Sequence, residues 1–164
     1  MKIKSFMTMM MAAVAIVLGT SSCSSSDDDP EAPEAPVASQ VAGSYTGTET
    51  LTVMGEAEES SETIEFTKAT DVAVDVTLPK YGEGMMTVPA LPVKGISLTK
   101  SGNTITGKLA KYEGTVKTAD GAEKAYTISD ITVIFSDKNV VMTFTQKYGN
   151  MPFAFEGQFT GTRK

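Results

Sequence analysis

The chain has 164 residues, with 14 basic against 20 acidic side chains, one cysteine, and neither histidine nor tryptophan. An acidic balance with Arg163 as the sole arginine leaves no basic face for a nucleic acid. The lack of histidine removes Ser-His and Cys-His pairs and the HExxH zinc motif, and a lone cysteine cannot build a disulfide or a thiolate metal cluster.

Lys2 and Lys4 precede an apolar run from Phe6 to Leu18. That run falls short of the roughly 20 residues a membrane span needs. With the small residues Ser21 and Ser22 just before Cys23, residues 1–22 read as an export signal. The arrangement resembles a bacterial lipoprotein signal, although Thr20 stands where that pattern prefers leucine. The resemblance implies that Cys23 is acylated and becomes the mature N-terminus. Each buried CH₂ of an acyl chain contributes about 0.8 kcal/mol, so two or more chains would hold the protein on a membrane. Ser24, Ser25, Ser26, Asp27, Asp28 and Asp29 follow. They resemble the signal that sends Bacteroidetes lipoproteins to the outer face of the outer membrane. The expected location is therefore the outer membrane, lipid-anchored and exposed at the cell surface.

Residues 23–40 are expected to be a tether. Val37 is their only large apolar side chain, and Pro30, Pro33 and Pro36 alternate with Glu31 and Glu34. Such a segment buries too little to offset its ordering entropy, and its prolines favour an extended spacer. Residues 41–164 carry 12 basic and 15 acidic side chains and are long enough for one domain with a core.

That domain reads as all-β. Threonine, valine and aromatic residues alternate with period two through Tyr45–Val53, Thr63–Lys68, Val72–Leu78, Val93–Thr99, Thr104–Leu109, Gly114–Thr118, Lys124–Ser129, Ile131–Phe135, Val140–Thr145 and Phe153–Phe159. Turn chemistry separates these runs at Ser101-Gly102-Asn103, Asp120-Gly121, Asp137-Lys138-Asn139 and Gly149-Asn150. Consecutive short hairpins favour an antiparallel up-and-down meander of about 8–10 strands, which closes into a barrel to remove its edges. Tyr81–Leu91, with Gly82, Gly84 and Pro89, reads as a loop. Its Met85 and Met86 could fold inward, over an apolar cavity or as a plug of the core.

The domain opens with Gly43-Ser44-Tyr45 and closes with Gly161-Thr162-Arg163. A Gly-x-aromatic start and a lone arginine on the last strand resemble the calycin pattern of lipocalins and fatty-acid-binding proteins. More closely, Gly43 to Arg163 looks like the calycin-like β-barrel domain of Bacteroidetes surface lipoproteins. The resemblance implies that the first and last strands pair and that Arg163 lies across the Tyr45 ring at the closed end. It also implies an interior able to hold a small hydrophobic ligand. The lining would be drawn from Val74, Val76, Met85, Met86, Ile105, Leu109, Ile128, Val133, Phe135, Met142, Phe144, Phe153 and Phe155. The default reading of each is core packing. The alternative function is therefore a structural or adhesion module with a filled barrel that contacts glycans or proteins. No cofactor, metal or enzymatic activity is expected; a carboxylate-based hydrolase is the remaining catalytic option.

The localisation signal has a direct check. Replacing Asp27, Asp28 and Asp29 by alanine should abolish protease accessibility of the protein on intact cells; unchanged accessibility would defeat the surface-signal reading.

Overall fold

The computed structural model describes residues 34–83 and 87–164. Cys23, the Ser24–Asp29 run, Met85 and Met86 lie outside the described residues. A short helix, α1 (Val37–Val41), is followed by eight strands: β1 (Gly43–Val53), β2 (Glu56–Thr70), β3 (Ala73–Leu78), β4 (Leu91–Ser101), β5 (Thr104–Lys117), β6 (Glu123–Ser136), β7 (Asn139–Tyr148) and β8 (Phe155–Arg163). Each strand pairs antiparallel with the next, and β8 returns to β1, so the meander closes into an up-and-down barrel.

Two expected pairs of strands are single long ones. Thr104–Leu109 and Gly114–Thr118 join in β5, and Lys124–Ser129 and Ile131–Phe135 join in β6. The inward parity of β6 changes between Ile128 and Ile131, both buried. There Asp130 adopts φ 55° and the β6–β7 register shifts. This is a β-bulge, which adds one residue and re-aims the side chains on either side of it.

The expected turns form, with Gly102, Gly121 and Gly149 at φ 58°, 83° and 54°. The β1–β2 turn is a two-residue loop between the Val53–Glu56 pair. Met54 and Gly55 both have positive φ there, 52° and 86°, as a type I′ turn demands. Val72 lies in the turn before β3 and is 58% exposed, outside the apolar face expected for it.

Odd residues of β1 and β8 and even residues of β7 point inward, as their burial pattern records. Aromatic rings fill the end of the barrel under α1. Tyr45, Phe66 and Phe135 meet pairwise at centroid distances of 5.0–5.7 Å, two of the three contacts edge-to-face. Such contacts add about 1 kcal/mol each beyond the area they bury. Above them Ile64, Val74, Ile96, Val133, Met142 and Phe159 continue one buried cluster.

The compact unit begins at Glu34, earlier than the expected domain start at Val41. One helical turn accounts for the difference. Ala38 and Val41 are buried against the aromatic end, the Ala38 amide donates to the Asp71 carbonyl at 3.1 Å, and Glu34 pairs with Lys100. Residues 34–40 thus belong to the folded unit and not to the tether.

The strained tip of the first hairpin generates a prediction. Met54 is 75% exposed, so only its backbone is at stake, and left-handed φ costs a non-glycine residue about 1 kcal/mol. Met54→Asn, the residue a type I′ turn prefers, should raise the melting temperature by about 3 °C in a calorimetric scan, whereas a lowered one would contradict the turn assignment.

Candidate functional site

The closed end is tied by the first and last strands. Tyr45 and Arg163 are directly opposite on β1 and β8. The Arg163 guanidinium donates to the carbonyls of Gln40, at 2.7 Å, and Ala42, which are left open at the C-terminal end of α1. It packs over Gly43, where an added Cβ would come within 3.1 Å of its Nε. Tyr45 donates its hydroxyl to the Val41 carbonyl at 2.9 Å. Burial pushes the Tyr45 phenol up, and the nearby Arg163 charge partly offsets this. The directed contacts of Arg163 are thus to carbonyls, and it acts as a clamp holding α1 on the barrel.

The expected lining residues fall into three groups. Val74, Val76, Ile105, Ile128, Val133, Phe135, Met142 and Phe144 are each buried and packed on one another in the core. Leu109 and Phe155 are partly buried toward the opposite end. Phe153 precedes β8 in an irregular segment and is 48% exposed, so it does not share the inner face expected for it; Pro152 and the bends around it keep that segment out of the sheet.

The sequence reading passed over a polar group inside the barrel. Glu49 is buried on β1 and Gln146 on β7, at 2% and 1% exposure. Glu49 stands opposite Phe159 on β8 and Ser60 on β2, and no side-chain hydrogen bond satisfies its carboxyl among the described residues. Burial raises its pKa from an ordinary 4.5 to about 7, and the neighbouring Glu62 carboxylate adds to the rise. Gln146 donates its amide to the Tyr81 hydroxyl at 2.7 Å. Tyr81 comes from the segment between β3 and β4, where its backbone exchanges two hydrogen bonds with Val88. Its ring meets Phe155 edge-on at 5.1 Å. Burial raises the Tyr81 phenol pKa; the Gln146 bond lowers it, and the nearby Glu49 and Tyr148 raise it again. The Tyr148 hydroxyl is buried without a hydrogen-bond partner among the described residues, while Lys124 sits over its ring at 5.6 Å. The signal for this group was parity: Glu49 lies an even number of residues from Tyr45, on the face that must point inward.

A second feature lies on the outer wall. A groove of about 340 Å³ crosses β1, β8 and β7 and is lined by Thr50, Thr52, Thr143, Thr145, Glu156 and Gln158, with Asp130 projecting from the β6 bulge. These side chains form cross-strand rows, Thr50–Gln158–Thr143 and Thr52–Glu156–Thr145. The lining offers hydroxyls, an amide and two carboxylates, and no cation. Smaller grooves of 240–250 Å³ lie at β2–β3–β4, beside α1 and beside Tyr148. Among the described residues no three carboxylate, cysteine or histidine groups gather as a metal site, and no helix is long and apolar enough to cross a membrane.

No family model matches the sequence, and no curated protein matches it. Among solved structures, the chain is similar to a crystal structure of a candidate outer membrane protein from Bacteroides fragilis, with a TM-score of 0.60 and 18% identity over 79% of this chain. The match takes in 53% of that protein, so this chain spans about half its length. At that identity the likeness concerns the fold.

The buried carboxyl sets a pH dependence. A folded-state pKa near 7 against an unfolded value near 4.5 means that the native state holds its proton more tightly than the unfolded chain. The associated stability is complete below about pH 4.5 and is lost as pH rises through 7, by up to about 3 kcal/mol. Glu49→Gln should match the parent at pH 5 and exceed its stability by about 2 kcal/mol at pH 8. Urea melts at both pH values check this; the same decline in parent and variant would exclude Glu49 as its source.

Proposed function

We propose that this protein is a lipid-anchored module of the outer membrane, attached through acyl chains on Cys23 and exposed at the cell surface. Its calycin-like barrel is a rigid scaffold, and it binds a neutral saccharide non-covalently on its outer wall. The observation that carries this reading is the contrast between the two sides of the sheet. Inside, eight of the residues expected to line a ligand cavity, from Val74 to Phe144, are packed on one another, which favours the filled-barrel alternative over an apolar ligand in the core. Outside, the 340 Å³ groove is large enough for one or two sugar rings. It is lined by groups that exchange hydrogen bonds with sugar hydroxyls, and it has no cation to prefer an anion.

The local backbone supports this site. β-Bulges recur beside binding sites because they re-aim one side chain, and the bulge here turns Asp130 toward the threonine rows. No catalytic step is assigned: Glu49 is buried inside the barrel, Glu62 is partly buried, and neither lines one of the grooves described above. The export signal at residues 1–22, the serine-aspartate run and the fold shared with the Bacteroides fragilis protein together support the location.

Binding to an array of neutral glycans tests the site. Thr143→Arg and Gln158→Arg change exposed outward positions and should leave the fold intact while weakening glycan binding at least tenfold. Unchanged binding in both variants, with a lipid co-purifying in stoichiometric amount by mass spectrometry, would replace this reading with an interior ligand.

A further inference from the structure

We infer that the open edge of β2, from Glu56 to Glu65, receives an extended, lysine- or arginine-rich segment of another protein as an added strand. β2 pairs with β1 along this whole stretch, from Val53–Glu56 to Ser44–Glu65. On its other side β2 meets β3 only from Phe66–Val76 onward. β3 ends at Leu78 because Pro79 follows, and proline has no N–H to give to a ladder. The chain then leaves the ladder and makes its own bridge between Tyr81 and Val88.

A strand with one neighbour uses only half of its backbone groups. In an antiparallel pair, residues exchange bonds at every second position, and those between aim their N–H and C=O at the other side. Among the described residues, the backbone of 56–65 bonds only to β1. The open edge runs for about 30 Å, and Glu56 to Ser61 are all exposed. Such an edge is a template for an incoming strand.

Charge identifies the occupant. Glu56, Glu58, Glu59, Glu62 and Glu65 lie on this stretch, which has no lysine or arginine. None of the five is in an ion pair among the described residues. Alternation sends Glu56, Glu58 and Glu62 to one face of the sheet and Glu59 and Glu65 to the other. An added strand therefore meets carboxylates on both of its faces. Opposite charges at cross-strand positions are favourable, and like charges are not. A second copy joined β2 to β2 would set glutamates against glutamates. The chain's own residues 24–33, with their aspartates, glutamate and prolines, would be repelled in the same way. The other open edge, β5 beyond Lys108, carries Lys111 and Lys117, and Lys111 is already paired with Glu113 at 2.7 Å. Lysines guard an edge against addition of any kind. The glutamates of β2 guard against copies of themselves and leave a cationic strand as the fit.

Calorimetry and hydrogen exchange on the full chain in a neutral detergent test this. The probe is a blocked nine-residue peptide, Lys-Lys-Thr three times over, which places lysines on both faces of a strand. Its counterpart has every backbone amide N-methylated, which keeps the charge and removes the ladder donors. At about 50 mM salt, where exposed charges are weakly screened, the probe should bind at least tenfold more tightly than its counterpart. It should also slow exchange of the amides of residues 56–65 at least tenfold. The double variant Glu58→Gln, Glu59→Gln changes exposed positions and should weaken the probe several-fold. Exchange is read on the parent chain, so the test survives a variant that fails to fold. Equal affinity for the two peptides, no binding at millimolar concentration, or protection confined to other strands would overturn the assignment. So would oligomers of the parent in sedimentation with these amides already protected, which would give the edge to a second copy.

Discussion

The barrel depends on the seam between its first and last strands. β1 and β8 pair from Tyr45–Arg163 to Thr52–Glu156, and the seam is possible because Gly47 faces Gly161 two residues in from the Tyr45–Arg163 pair. A Cβ added at Gly47 would lie 1.9 Å from the Thr160 carbonyl oxygen and 2.5 Å from the Gly161 Cα, separations that no side chain tolerates. The sheet must curl tightly here to bring the eighth strand back to the first. Once it does, no edge in the seam is left for another chain to extend.

The same constraint organises the filling of the interior. Inward glycines are seats for rings from neighbouring positions: Phe144 lies over Gly157, and Tyr126 over Gly114, each its direct cross-strand partner. The ring of Phe159 occupies the space a side chain at Gly161 would take. An aromatic ring over a cross-strand glycine restores the packing the glycine lacks. Rings therefore fill the narrow barrel from its aromatic end, at Phe159, to the opposite end, at Tyr126.

Much of the fold was legible in the sequence because one face of each strand is buried. The alternation in Val140–Phe144 or Ile131–Phe135 can arise in few other ways. The features that escaped each break that rule in a specific manner. At Asp130 the bulge shifts parity in mid-strand, so one strand looked like two. Residues 56–62 of β2 are polar on both faces, because that half of the strand pairs only with β1; with no buried face there was no period to read. α1 is a single turn too short for helical periodicity, although Val37, Ala38 and Val41 have the spacing of one buried face. The buried carboxyl was missed for the opposite reason. Glu49 obeys the alternation that places Tyr45 inside, but a carboxylate at an inward position is rare enough to be passed over.

Both chain ends of the folded unit meet at one end of the barrel. The Lys164 amide donates to the Ser44 carbonyl at 3.0 Å, and Arg163 clamps the helix that leads into β1. A pull on the chain before Glu34 therefore enters β1 along its axis. Inter-strand hydrogen bonds lie perpendicular to the strands, so such a load would shear the rows joining β1 to β2 and β8 together instead of opening them one at a time. A pull directed across the sheet would instead peel a strand away pair by pair. The barrel therefore resists a load along the axis of β1 more strongly than one directed across its strands.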